Sequence, residues 1–148
     1  MILIAHRGNI NGKIDDLENS PNYVDAAINL NYDVEIDLWV NKGLFYTGHD
    51  SPQYKINLNW LQERVQNLWI HCKNIEALEQ LSTTTDAYNY FWHETDTVTL
   101  TSSGYIWAYP GKQPIKNSIA VLPEINNDEI SYCRGICSDY IFRFRTNR

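Results

Sequence analysis

Glu35, Asp37 and His49, with His6-Arg7-Gly8 upstream, are side chains that hydrolytic chemistry uses. Residues 32–40 read as a strand, because β-branched and aromatic residues cluster there between turn residues. Side chains alternate along a strand, so Glu35 and Asp37, at i and i+2, project from one face a few Å apart. Carboxylates crowded in this way repel unless a cation or a proton lies between them. Gly48-His49-Asp50 follows a turn at Gly43 and the apolar run Leu44-Phe45-Tyr46, which brings an imidazole back toward the pair. The set points to a hard cation held by carboxylates, with histidines placed for proton transfer.

The elements that must position these residues read as strands at 1–6, 33–40, 68–73, 88–93, 105–109, 119–124 and 135–141, with a hairpin-like piece at 44–49. Helices are predicted early. Ser20-Pro21 opens one with Tyr23, Val24, Ala27, Ile28 and Leu30 as its apolar stripe. Leu58, Leu61, Val65 and Leu68 recur at helical spacing, and Asn74 caps a third helix in which Ile75, Leu78 and Leu81 face inward. Residues 94–104, where Val98 and Leu100 alternate, read as a loop or a short extended piece, 111–118 reads as a loop, and 127–132 leaves room for a helical turn or two. All four histidines (His6, His49, His71, His93) fall at or near the C-terminal end of a predicted strand or hairpin arm. In a parallel sheet those ends converge on one mouth. Trp39, Trp69, Tyr90, Trp92, Trp107 and Tyr109 lie on predicted strands and mostly fill the interior. Trp107 and Tyr109, at i and i+2 before Pro110-Gly111-Lys112, are the better substrate-pocket candidates, with His93 beside them.

Four motifs in order resemble the opening of the glycerophosphodiester phosphodiesterase family: Ile4-Ala5-His6-Arg7-Gly8, Glu18-Asn19-Ser20, Val34-Glu35-Ile36-Asp37-Leu38 and Gly48-His49-Asp50. Ile70-His71-Cys72-Lys73 resembles the family's next strand and Gly135-Ile136-Cys137-Ser138-Asp139-Tyr140 its last, with little to match between them. The resemblance implies a barrel of parallel strands, a divalent cation (Mg2+ or Ca2+) and hydrolysis of a small glycerophosphodiester-like substrate. Carried over by position, Glu35 and Asp37 bind the metal, His6 and His49 form the acid–base pair, and Arg7 and Lys73 hold the phosphate. Glu18 organises the first loop or joins the metal shell. The nucleophile is the substrate's own neighbouring hydroxyl, giving a cyclic phosphate.

One position departs from the family. Its third acidic ligand falls on His71, so the shell contains a nitrogen and favours a softer ion, or Glu94 or Glu124 substitutes, or metal binding is weakened. A full (β/α) barrel takes about 250 residues, and this chain has 148. The expected fold is therefore a compressed (β/α) TIM-like barrel over residues 1–148, a single domain of about seven or eight strands with few helices in its second half. The competing reading is a degenerate barrel that binds a phosphate or sugar ligand without cleaving it; a lyase that stops at the cyclic phosphate is a third.

Composition sets outer bounds. With 43% hydrophobic and 13% aromatic residues, the chain can bury one core. No apolar run approaches the ~20 residues of a membrane span. Met1-Ile2-Leu3-Ile4-Ala5 is too short for a signal peptide, and three cysteines fit a reducing compartment, so a cytoplasmic location is expected. Cys133 and Cys137 lack the second pair a zinc site needs. A net charge of −6 argues against nonspecific nucleic-acid binding. The basic tail 143–148 reads as a solvated terminus. A barrel short of helices exposes strand faces, which favours a homodimer over a monomer.

Overall fold

In the computed structural model, which describes residues 1–145, the chain opens with β1 (Ile2–His6), α1 (Pro21–Asn29), β2 (Asp33–Asn41), β3 (Leu44–Thr47), β4 (Tyr54–Ile56), α2 (Leu58–Glu63) and β5 (Leu68–Cys72). It continues with α3 (Ile75–Thr83), β6 (Asn89–Trp92), β7 (Val98–Leu100), β8 (Ile106–Ala108), β9 (Ser118–Val121) and β10 (Gly135–Ser138), then a 3-10 turn over Ile141–Phe144. All the strands join one ten-stranded sheet. Neighbours run parallel along β6-β5-β2-β1-β10-β9-β8, while β3, β4 and β7 attach antiparallel. β2 is the central strand. Its first half pairs with β1, its far half with β3, and its other edge with β5.

This architecture corrects the TIM-like (β/α) barrel expectation. The sheet is a mixed, strand-rich, curled half-barrel, and among the described residues its three α-helices all precede β6. The reason is local. After β6 the chain folds back as β7, the short extended piece expected within 94–104, and 109–117 contains Pro110, Gly111 and Pro114. Residues 122–134 make turns instead of the helix expected at 127–132. The 44–49 hairpin forms and is extended by β4, which the sequence reading lacked. Of the tail at 143–148, Arg143 stacks on Tyr140 and Arg145 on Tyr32, and 146–148 lie outside the described residues.

The helices form where their caps and stripes fall. Pro21 starts α1, which buries Val24 and Ala27, although the Ser20 hydroxyl makes no cap bond. Asn57 caps α2 by accepting from the Trp60 N–H. Asn74 accepts from the Ala77 N–H at 3.1 Å and also bonds both backbone groups of Val40, so one side chain starts α3 and holds the end of β2. Ala77 and Leu81 are the buried residues of α3, whereas Ile75, expected to face inward, is exposed. Among the described residues no helix is long and apolar enough to cross a membrane, and Cys72, Cys133 and Cys137 are buried free thiols.

Strand alternation divides the core into two layers. Outward residues such as Ala5, Val34, Ile36, Leu38, Ile70 and Ile136 pack in one cluster with Val24, Leu61 and Leu81 of the helices. Inward residues Ile4, Trp69, Phe91, Trp107, Ile119, Val121 and Cys137 form a second cluster inside the curl. Gly135 allows β10 to lie against β1. A Cβ there would sit 2.8 Å from Ile119 Cδ1 and 2.9 Å from both Ile2 Cβ and Ile2 O. Gly135→Ala should therefore destabilise the protein by about 1–3 kcal/mol in urea unfolding. A change below about 0.5 kcal/mol, the ordinary surface-substitution range, would contradict this packing.

Candidate active site

The site follows from the two-residue period of the inward face. One step beyond the apolar floor, toward the C-terminal strand ends, Ile4 gives way to His6, Trp69 to His71 and then Lys73, Phe91 to His93, Trp107 to Tyr109 and Cys137 to Asp139. Glu35 and Asp37 occupy the same face of β2, with Glu35 in register with His6 and Asp37 with His71. A cavity of about 380 Å³ opens over them, walled also by His49, Trp92 and His93.

Glu35 is 3% exposed and Asp37 is fully buried. Asp37 Oδ2 accepts from Asn19 Nδ2 at 2.9 Å and lies 3.1 Å from Arg7 Nε, whose N–H is not aligned on it. Asp37 Oδ1 is 3.2 Å from His71 Nδ1 and 3.8 Å from Lys73 Nζ. Neither Asp37 Oδ1 nor Glu35 Oε2 has a hydrogen-bond partner among the described residues. Burial, together with the Asp37 charge, raises the Glu35 pKa above the ordinary carboxylate value. Burial opposes ionisation of Asp37 too, but the closeness of His71 and the Arg7 charge outweigh it and hold Asp37 well below the usual range.

His6 is held by Asp139, with Nδ1 2.7 Å from Asp139 Oδ1 and Nε2 3.8 Å from Glu35 Oε2. Burial works to lower the His6 pKa; the Asp139 hydrogen bond and the Glu35 charge overcome it, so the net shift is upward. His49 sits on a turn that requires Gly48 (φ +152°), where a Cβ would meet Ser51 O at 2.1 Å. Its side chain is 43% exposed and pairs with Asp50 at 2.8 Å. Burial and the Arg7 charge shift the His49 pKa downward. The two histidines thus face one cavity in opposite electrostatic settings.

The structure brings His6, Arg7, Glu35, His49, His71, Lys73, His93, Trp107 and Tyr109 to this cavity. Trp107, at 1% exposure, belongs to the floor, and His93 and Tyr109 stack 3.8 Å apart on the wall. Glu18 stands apart from the Glu35–Asp37–His71 cluster and instead bonds Arg7 at 3.2 Å and Asn9 at 2.8 Å, organising the first loop. Glu124 also stands apart, bonded to Ser138 Oγ at 2.8 Å, and Glu94 is exposed at the rim. Sequence reasoning gave no role to Asn9 or Asn19, and pointed to Asp139 only by its position late in a predicted strand. Asn9 bridges Glu18 and Asp139, and Asn19, left-handed at φ +64°, bonds both the backbone and the carboxylate of Asp37. The available signals were weak: an Asn beside a turn, a polar Asn after His6-Arg7-Gly8, and an acid just past a strand.

The Glu35, Asp37 and His71 donor atoms lie within 4.8 Å of one another and could hold a metal ion. The fit is chemical as well as spatial. Four carboxylates (Glu18, Glu35, Asp37, Asp139) face two permanent cations (Arg7, Lys73), leaving net negative charge beside two acceptors that lack partners. Metal-free protein carries this repulsion as instability. A carboxyl with a raised folded pKa opposes folding above its unfolded value, increasingly as pH rises through the folded pKa. In EDTA, Glu35→Gln should therefore be more stable than wild type at pH 8, with the gap closing as pH falls toward about 4.5. Equal stability of the two proteins in EDTA at pH 8 would remove the repulsion argument. Comparison of the chain with family models, curated proteins and solved structures returned no match, so the chemistry of this site is read from its own geometry.

Proposed function

We propose that the protein is a metal-dependent phosphodiesterase acting on a small glycerophosphodiester-like substrate. The observation that carries this reading is the pair of buried, unpartnered acceptors Glu35 Oε2 and Asp37 Oδ1 beside His71, at a cavity that Glu35 and His71 line with His6, His49 and Lys73. A divalent cation bound by Glu35, Asp37 and His71 would supply charge neutralisation at a nonbridging phosphate oxygen. Lys73 spreads the remaining charge of the transition state, and Arg7 contributes from its place between Asp37 and Glu18. One of His6 and His49 takes a proton from the attacking hydroxyl, and the other gives one to the departing alkoxide. Asp139 keeps the His6 ring oriented with Nε2 toward the cavity, a positioning role. The nucleophile in this reading is a hydroxyl of the substrate itself, giving a cyclic phosphate. The stacked His93–Tyr109 wall bounds the space left for the alcohol.

A second reading, a curled sheet that binds a phosphorylated ligand without cleaving it, draws support from Arg7. Its guanidinium is already engaged by Glu18 and Asp37. Cleavage of a chromogenic phosphodiester and of glycerophosphocholine separates the two. EDTA should stop turnover, Glu35→Gln should lose it, and His6→Ala and His49→Ala should each lower kcat by about 10²–10⁴-fold with circular dichroism unchanged. Normal cleavage by both histidine variants would refute the acid–base roles. Absence of cleavage by folded wild type with every ion supplied would favour the binder.

A further inference from the structure

We infer that this site is built for a borderline first-row transition ion such as Fe2+ or Zn2+, with His71 Nδ1 as a ligand, and not for Mg2+ or Ca2+. The assignment needs only the side-chain cluster and not the phosphodiesterase reading. It begins with a proton. His71 Nε2 lies 3.0 Å from the backbone carbonyl of His93, and a carbonyl can only accept, so Nε2 carries the hydrogen. In the neutral ring the lone pair is then on Nδ1, the atom that lies 3.2 Å from Asp37 Oδ1. Two lone pairs facing each other inside a protein repel until a proton or a cation lies between them, and a third donor from Glu35 within 4.8 Å of both favours the cation. A metal-binding histidine is commonly fixed by such a bond from its other nitrogen to a carbonyl.

The ring is also held from its face. Phe91 stacks against it at 5.1 Å with the planes 14° apart, and the cross-strand register sets it beside Asp37. His71 is therefore pre-positioned in depth, in tilt and in tautomer. The other two donors are the unpartnered oxygens of side chains that are 3% exposed (Glu35) and fully buried (Asp37). Two carboxylates and one imidazole form a mixed oxygen–nitrogen set. Mg2+ and Ca2+ are hard ions that take oxygen shells. An imidazole nitrogen moves preference toward Fe2+, Ni2+ and Zn2+. The cavity above the cluster leaves further coordination positions open to a ligand.

The test is direct binding to chelator-treated full-length protein. Oxygen sites also bind transition ions more tightly than Mg2+, so the decisive readouts are the nitrogen and its removal. Pulsed EPR of the Mn2+-loaded protein should show nitrogen hyperfine coupling, and His71→Glu should abolish it. Calorimetry with Mn2+, Zn2+, Mg2+ and Ca2+ should find the ratio of Zn2+ to Mg2+ affinity falling at least about tenfold in His71→Glu. His71→Gln, which keeps a polar side chain of similar length, guards against a folding defect in the first variant. The inference is overturned by Mn2+ bound without nitrogen coupling, by selectivity unchanged in both variants, or by no ion binding to folded protein. Nitrogen coupling without cleavage of any diester would keep the metal assignment and refute the phosphodiesterase reading.

Discussion

Two carboxylates buried side by side on the central strand impose a condition that the neighbouring loops are shaped to meet. β2 has partners on both edges where Glu35 and Asp37 sit, so neither side chain can turn to solvent without breaking the sheet. An uncompensated buried charge costs several kcal/mol, and losing one partner of such an ion pair typically costs about 3–5 kcal/mol. The offset comes from the first loop. Arg7, in the left-handed region at φ +53°, donates its backbone N–H to Glu35 O and delivers its guanidinium to Asp37. Asn19, also left-handed, donates its backbone N–H to Arg7 O and closes on Asp37 with its side chain. Thr47 Oγ1 then donates to Asn19 O at 2.6 Å, tying the β3 hairpin to the same loop. Backbone strain at two residues is thus spent holding polar groups over one carboxylate. Glu35 receives no comparable cover.

How the interior is layered explains why the second half of the chain can lose its helices and keep its share of the site. Inward positions on β8, β9 and β10 need only the strands and their neighbours: Trp107, Ile119 and Cys137 form the floor, and Tyr109, Val121 and Asp139 stand above it. Helices cover the outer face, and there the chain substitutes turns. The 122–134 segment and the 3-10 turn bring Cys133 and Ile141 against Ala120 and Ile136. A short segment can cover alanine where it could not cover leucine, so the small outward residue on β9 and the absence of a helix are consistent with each other. The inner face carries the candidate site; the outer face of the second half is covered by turns instead of helices.

Much of this was legible because period-two alternation and local motifs are short-range signals. The seven strand positions, the hairpin after Gly43 and the Asn74 cap come from adjacent residues, and they place His6, Glu35, Asp37, His71 and Tyr109 on the correct face. The global form was not legible, since Val98 and Leu100 alternate in the sequence but only pairing with β8 shows where β7 joins the sheet. Long-range side-chain bonds were hidden for the same reason. Nothing near Asp139 in sequence announces His6, and nothing near Asn19 announces Asp37. Trp107 looked like a pocket residue because spacing gives its face but not its depth, and it proved to be part of the floor. Glu124 shared the strand-end pattern, yet it turns toward Ser138 instead of the mouth.

The donors for an ion and the groups for proton transfer sit on different kinds of support. Glu35, Asp37 and His71 lie within paired strands, so their spacing is fixed by ladder hydrogen bonds and a stacked ring. His49 stands on a half-exposed turn whose main constraint is Gly48, and it can adjust to a substrate in a way the cluster cannot. The consequence for stability is asymmetric. A rigid acidic cluster that repels itself in the absence of an ion turns binding into folding free energy, about 2.7 kcal/mol at an ion concentration one hundred times Kd. The exposed histidine adds almost nothing to that balance. The cluster therefore couples ion occupancy to the integrity of the central strand, and a substitution at His49 should leave that coupling intact while a substitution at Asp37 should break it.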